Sequence, residues 1–422
     1  MTNQTSATGA KGRASILTMS LLVTGNLLGA GILALPVNLG PAGLFPSLAG
    51  IVLVWALMLY SAYVLADQKE LADGQAGGLP AFFGARLGPS AKWVAVAADM
   101  VIFYGVLTAY LTGTTAVVTG LFAVPLPKWV VTAAYFAVVA GLTGFGMALL
   151  RRCNAALLVC MGLTFTALIV MVLPEAQASH ALPMRWDFLP SAMPVALTAF
   201  LFHNLIPTLC REMNGDKTAV RRSILFGSLI GLVMNLAWTA AVFCALPMEG
   251  ADSIALLTAF EKNLPATVPL SNLLDSTLFT DIGLVFAILS MSAAFLANGT
   301  ALLDFLRDLV RPAPGDGQGR AASRLAGDGA IWLLAFLPPL LVSVFYPDIF
   351  LVVMNLVGGV GICLLFGVLP AALRLQQAEG AGRYAALAAL TLFALILVCE
   401  VGQELGVMDI HPDVEYWSQF TQ

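Results

Sequence analysis

The sequence predicts an all-α polytopic membrane protein of eleven transmembrane helices, ten of them in two five-helix repeats of opposite orientation. Three observations predict it: an apolar, charge-poor composition, long apolar runs whose connections are basic on alternate sides, and two interrupted runs at matching places. Of the 422 residues, 59% are hydrophobic and 10% charged, and the mean hydropathy is +0.90. A soluble domain is about half apolar and about a quarter charged. The formal net charge of −4 matters less than where the charges stand. Cys153, Cys160, Cys210, Cys244, Cys363 and Cys399 fall within or beside apolar runs and form no CxxC pair, so they read as buried thiols, not disulfides or metal ligands. No Walker A, HExxH or GxSxG motif occurs, which leaves ATP-driven transport and the familiar intramembrane hydrolases without a basis.

Residues 1–13 are polar and small and read as a disordered cytoplasmic tail. The run from Ala14 to about Leu35 is too long for the apolar core of a signal peptide, and further spans follow it. A spanning helix needs roughly 20 mostly apolar residues. Spans are therefore predicted at 15–37, 42–66, 93–122, 129–149, 154–173, 191–210, 223–246, 279–309, 329–346, 349–373 and 384–405. Lysine and arginine set the orientation. With the N-terminus inside, 17 of the 20 basic residues are cytoplasmic and only Lys128, Arg185 and Lys262 are outside. The C-terminal tail, 406–422, then lies on the outer side.

The first span is interrupted at Gly29–Ala30–Gly31 and the sixth at His203, Asn204 and Pro207. The third and eighth spans are both unusually long, and each stands two places after an interrupted one. Five spans per unit force the second unit to start from the opposite face. Residues 14–173 and 191–373 thus form an inverted repeat, and 384–405 is an added helix. Interrupted helices at matching positions of such a repeat point to a substrate site at the membrane midplane.

Chemistry at the breaks narrows the substrate. In VTGNLLGAGILALP (23–36), Gly25 and Gly29 form a small-xxx-small pair suited to close packing. Gly29 and Gly31, however, cannot both face one partner helix. Asn26 brings a polar side chain to membrane depth, where it needs a partner or a water-lined cavity. A break here turns the N–H groups of Gly29, Ala30 and Gly31 inward, and such a helix N-terminus suits a carboxylate. In the sixth span Pro207 cannot bond the His203 carbonyl. Carbonyls freed around Phe200, Leu201, Phe202 and His203 suit an ammonium group. An amino acid fits the two breaks together.

His203 is the only histidine inside a span, and it is either a structural group bonded to a carbonyl or a proton site. Asp99, about two turns into the third span, is a second candidate for proton transfer or gating. Asp304 reads as a helix-end partner of Arg307 and Arg311, and Glu400 stands outside the repeat. The third span also offers Tyr104, Thr108 and Tyr110, and the eighth Ser290, Ser292, Asn298 and Thr300. Serine and threonine in helices often bond their own backbone. Ser290 and Ser292 are kept as candidates because a sodium ion could lie between them and carbonyls of the first span.

Three stretches resemble the hydroxy/aromatic amino acid permeases, the tryptophan/tyrosine permease family. GNLLGAGILALP is similar to that family's G-x-x-x-G-A-G-[MI]-[LF]-x-[LM]-P opening. FLFHNLIPTLCREMNGD, followed by RRSILFGSLIGLVMNLAW, is similar to its F-x-[FY]-H-x-x-[VI]-P-[ST] sixth helix and the start of its seventh. FLANGTALLDFLRDL (295–309) resembles its D-[YF]-L-x-D-L eighth-helix ending. The resemblance implies a LeuT-type five-plus-five inverted-repeat fold of the amino acid/polyamine/organocation superfamily, in a bacterial inner membrane. It also implies import of an amino acid driven by an ion gradient. No cofactor, no nucleic acid and no obligate protein partner is expected. By position, Gly29, Ala30 and Gly31 would face the substrate carboxylate, and Phe200, Leu201, Phe202 and His203 its amine and side chain; Asn26, Tyr104 and Asn204 join them as substrate-site candidates.

A proton is the coupling ion expected, through His203 or Asp99. Comparison with sodium-coupled neurotransmitter symporters gives the alternative, sodium at Gly25, Leu28, Ser290 and Ser292. Where well-known aromatic permeases carry glycine, this chain has Leu201 and Asn204, and the fifth span has no lysine to stand in for sodium. The expected cargo is an aromatic amino acid, with a small neutral or hydroxy amino acid as the sodium-coupled alternative. A channel would need a continuous polar pore, and a membrane-embedded sensor or enzyme a larger polar domain than these loops provide.

Overall fold

A computed structural model describes residues 15–72, 78–121, 126–143, 147–181, 184–250, 253–310 and 328–408. The predicted tail 1–13 lies outside them, as do 409–422 of the predicted C-terminal tail. The described residues are helical and hold no strand. Among them, eight helices are long and apolar enough to cross a membrane, and a bent pair makes a ninth; Lys128–Thr143 and Gly329–Phe345 are shorter apolar helices.

The first apolar run gives α1 (Ile16–Leu27) and α2 (Ala30–Leu39), bent by 53° where they meet. α3 (Leu44–Ala66) leads through the short α4 (Lys69–Ala72) and α5 (Leu79–Leu87) to α6 (Pro89–Leu121). α7 (Lys128–Thr143) and α8 (Met147–Val172) follow. The sixth run gives α9 (Leu189–Ala199) and α10 (Ile206–Glu212), and then comes α11 (Lys217–Ala245). Two short helices, α12 (Leu256–Glu261) and α13 (Thr267–Leu274), occupy the stretch that hydropathy leaves as a polar loop. α14 (Thr277–Val310) and α15 (Asp328–Phe345) precede a composite element: α16 (Phe350–Leu356), a π-helical segment (Val357–Val368) and α17 (Leu369–Gln377). α18 (Ala381–Glu404) comes last.

Apolar residues occupy both the inner and outer faces of these helices, so burial of apolar surface cannot choose the neighbours. Lipid-facing side chains such as Val159, Leu163 and Val170 on α8 are more than half exposed. Small residues do the sorting instead, because they let backbones approach. A Cβ on Gly227 of α11 would stand 2.5 Å from the Ser20 carbonyl oxygen of α1. Thr24 adds a hydrogen bond across that contact, donating to the Gly227 carbonyl at 3.1 Å. The π-helical segment lies against α9 in the same way: a Cβ on Gly358 would meet the Pro194 carbonyl oxygen at 1.8 Å.

The two ends of the bundle differ. At the end that carries Ser15 and Lys217, Arg221 pairs with Asp67 at 2.7 Å and Gln68 meets Gln377. At the other, Lys128 pairs with Asp348 at 2.5 Å. There the Ala266 N–H donates to the Leu33 carbonyl at 3.1 Å and the Arg185 N–H to the Ala42 carbonyl at 2.8 Å. Every residue of α2 is buried beneath these contacts.

Candidate substrate site

Both interrupted runs are interrupted in space, and their breaks meet. Leu28 and Gly29 leave the helix between α1 and α2, and the chain from Phe200 to Phe202 leaves it between α9 and the turn that opens α10. Gly29 caps α2 without a side-chain bond to its N–H groups. Gly31 comes so near α9 that a Cβ there would meet the Ala199 Cα at 2.7 Å. Asn26 joins the two breaks: its Nδ2 donates to the Leu201 carbonyl at 2.7 Å.

The carbonyls of the second break are largely taken up. Leu201 accepts from Asn26, Phe202 from the Leu205 N–H at 2.9 Å, and His203 from the Ile206 N–H in a 3-10 turn. Pro207 stands in the first turn of α10, where its missing N–H costs no helical bond.

Between the breaks lies a central cavity of about 150 Å³. Gly25, Asn26, Gly29, Ala30 and Gly31 form one wall, and Thr198, Leu201 and Leu205 another. α6 contributes Val106 and Tyr110. α14 contributes Ser290, Ala293, Ala294, Ala297 and Asn298, a face of small residues that leaves the space open. Tyr110 OH and Asn298 Nδ2 are 3.3 Å apart, and Asn298 also donates to the Ala294 carbonyl at 2.9 Å.

A second cavity, the vestibule, continues toward the Lys217 end with about 390 Å³. Leu201 and Asn298 line both, so they form the partition between them. Asp99 and Asn204 face the vestibule; Asp99 is 6% exposed, and its carboxyl makes no hydrogen bond or ion pair among the described residues.

The remaining candidates lie elsewhere. His203 is fully buried, with Nε2 3.0 Å from the Met58 carbonyl of α3 and its ring between Phe202 and Phe366 at 4.7 and 5.0 Å. It lines neither cavity, and neither do the fully buried Phe200 and Phe202. Tyr104 turns outward and donates to the Leu334 carbonyl of α15 at 2.9 Å. The four sodium candidates divide. Gly25 and Ser290 line the central cavity, Ser290 donating to the Ala287 carbonyl at 3.1 Å. Ser292 meets Tyr135 of α7 at 3.1 Å, and Leu28 is buried outside the lining.

The model of the tryptophan/tyrosine permease family matches residues 12–406, nearly the whole chain. The chain belongs to the tryptophan/tyrosine permease family. It is a permease and not an enzyme, an integral protein of a bacterial membrane. Over 342 residues it is 27% identical to the tyrosine-specific transport system 1 of Haemophilus influenzae, covering 80% of this chain and 82% of that one. Identity to the low affinity tryptophan permease of Escherichia coli K12 is 24%, covering 84% and 86% of the two chains. The fold resembles that of the manganese transporter of Eremococcus coleocola, with a TM-score of 0.57 at 13% identity over 96% of this chain and 90% of the other.

Residue type alone could not find all the lining of this permease. Ala293, Ala294 and Ala297 carry no chemical signal, nor do Leu158 and Met161 of α8, which also line the central cavity. Register could have found more. Asp99, Phe103, Val106 and Tyr110 lie three or four residues apart on α6, so they share a face. Placing Asp99 at a cavity places Tyr110 at one too, and turns Tyr104 away.

Proposed function

We propose that this permease imports an aromatic amino acid by alternating access, driven by a proton gradient. It does so through eleven spans of the LeuT type, with the N-terminus cytoplasmic and the C-terminus outside. One observation supports the reading above the rest: the central cavity is bounded by both helix breaks and walled on α14 by alanines and a serine. The unbonded N–H groups that open α2 face the substrate carboxylate, where the helix N-terminus stabilises negative charge. The small face of α14 leaves room for an aromatic ring. The tyrosine- and tryptophan-specific transporters among its relatives support the same cargo. The count of eleven adds α7 and α15, whose apolar stretches are short, to the nine spans that pass by length and composition. The excess of lysine and arginine at the Lys217 end supports a cytoplasmic N-terminus.

The proton has two candidate carriers, Asp99 at the vestibule and His203 outside both cavities. Purified protein in liposomes, offered tyrosine, tryptophan, phenylalanine, serine and alanine under an imposed proton or sodium gradient, tests the whole reading. Accumulation of the aromatic set under the proton gradient alone is expected, with loss of coupling in Asp99→Asn or His203→Ala. Accumulation that follows sodium, or a preference for serine and alanine, would transfer the assignment to the sodium-coupled alternative at Gly25 and Ser290.

A further inference from the structure

The vestibule is larger than the central cavity, about 390 Å³ against about 150 Å³, and it is built differently. Its charged lining residues are Lys92, Asp99 and Asp308, with Lys92 and Asp308 exposed at the rim and Asp99 buried within. A buried carboxyl without a partner is costly and calls for a donor or a cation. Phe103 of α6 and Phe305 of α14 form a tilted ring pair with centroids 5.8 Å apart, and Phe366 lies on the same cavity.

From this juxtaposition we propose that the vestibule holds a second amino-acid subsite. Asp99 takes the ammonium, Lys92 the carboxylate, and Phe103, Phe305 and Phe366 the aromatic side chain. The spacing suits a zwitterion. Lys92 and Asp99 are seven residues apart on one helix, two turns, so they share a face about 10 Å apart along the axis. The Lys92 stem lies beside Gly84 of α5 and its ammonium is exposed; swung toward Asp99, it bridges that gap through the substrate with charge-assisted bonds of about 2.7–2.9 Å at either end. Ring contacts prefer offset or edge-on geometry, which the tilted pair of Phe103 and the half-buried Phe305 offers on the cavity wall. The subsite lies beyond the Leu201–Asn298 partition, so a substrate occupies it after leaving the central cavity or before entering it from that side. This inference rests on the aromatic amino-acid reading above.

Equilibrium binding of radiolabelled tryptophan to the purified full-length permease tests it. Two molecules are expected per chain in the native protein and one in Asp99→Asn. Lys92→Met is expected to weaken the second event by about tenfold or more, the scale of a lost hydrogen bond to a charged group. The same variant should leave tryptamine, which has the ammonium and ring but no carboxylate, unchanged at that subsite; a merely structural lysine would not discriminate. Phe305→Ala supplies an independent arm should Asp99→Asn fail to fold, and it should weaken both ligands. One molecule per chain in the native protein, or a second event unaltered by Lys92→Met and Phe305→Ala, overturns the subsite. No binding of any aromatic amino acid to the native protein would instead overturn the reading on which it rests.

Discussion

Asn26 carries the one side-chain hydrogen bond that ties the first break to the second, from Nδ2 to the Leu201 carbonyl at 2.7 Å. Losing it costs about 1–3 kcal/mol if the carbonyl is left unpartnered, far less than the fold as a whole requires. Transport should suffer more than stability, because the bond fixes the relative position of two cavity walls. Asn26→Ala is expected to abolish uptake into liposomes while lowering the thermal midpoint by a few degrees. Asn26→Asp should do no better, since a carboxylate would set an acceptor against an acceptor. If Asn26→Asp transports at the native rate, the bond is not what positions the breaks. This residue was legible as a polar side chain deep in an apolar run. Its partner was not, because Leu201 is 175 positions away and offers only a backbone oxygen. His203 shows the same limit: its type was conspicuous, but the Met58 carbonyl and the rings that enclose it come from contacts no spacing reveals.

The start of α2 carries two glycines, Gly29 as its cap and Gly31 in its first turn, that differ in surroundings. Gly29 has φ −91° and ψ −159°, extended backbone open to any residue, and a Cβ there would stand 3.8 Å from the Ala294 Cβ. Gly31 has no such room, since a Cβ would press to 2.7 Å on the Ala199 Cα of α9. Backbone cannot turn aside as a side chain can, so α2 and α9 must separate. Overpacking of this kind costs typically about 1–3 kcal/mol, and it falls on the contact between the breaks. Gly29→Ala should therefore fold normally and change substrate affinity by its methyl group in the cavity. Gly31→Ala should lower both the thermal midpoint and uptake. Comparing the two by thermal unfolding and tryptophan uptake checks this; equal stability would remove the close approach as the reason for Gly31. The breaks and the long third and eighth helices were readable from glycine, proline and run length. The π-helical segment of 357–368 was not, because hydropathy is blind to backbone pitch. Nor were α12 and α13, whose short runs look like loop until α12 packs against α2 and α13 against α6 and α14.

Across the molecule, access is one-sided. The central cavity meets the vestibule at Leu201 and Asn298, and the vestibule reaches the surface at Lys92 and Asp308. Toward the other end α2 is buried throughout, the Ala266 N–H holds the Leu33 carbonyl, and a Cβ on Gly40 would meet Leu256 of α12 at 3.1 Å. On the alternating-access reading proposed above, with the Lys217 end cytoplasmic, this arrangement is the inward-facing one. Sided thiol labelling decides both points at once. A cysteine at Ala301, on the vestibule wall, would be placed in a variant whose native cysteines are replaced by alanine or serine. A membrane-impermeant maleimide is expected to label it in inside-out vesicles and to spare it in right-side-out ones. Leu256→Cys, beneath the closed end, should resist labelling in both until a change of state opens that end. Substrate that shifts the population should then lower labelling at residue 301 and raise it at residue 256, since one equilibrium governs both faces. Labelling of residue 301 from the outside would reverse the assigned orientation. Labelling at the two positions that changes independently would show two gates without a shared equilibrium, and alternating access would not describe this permease.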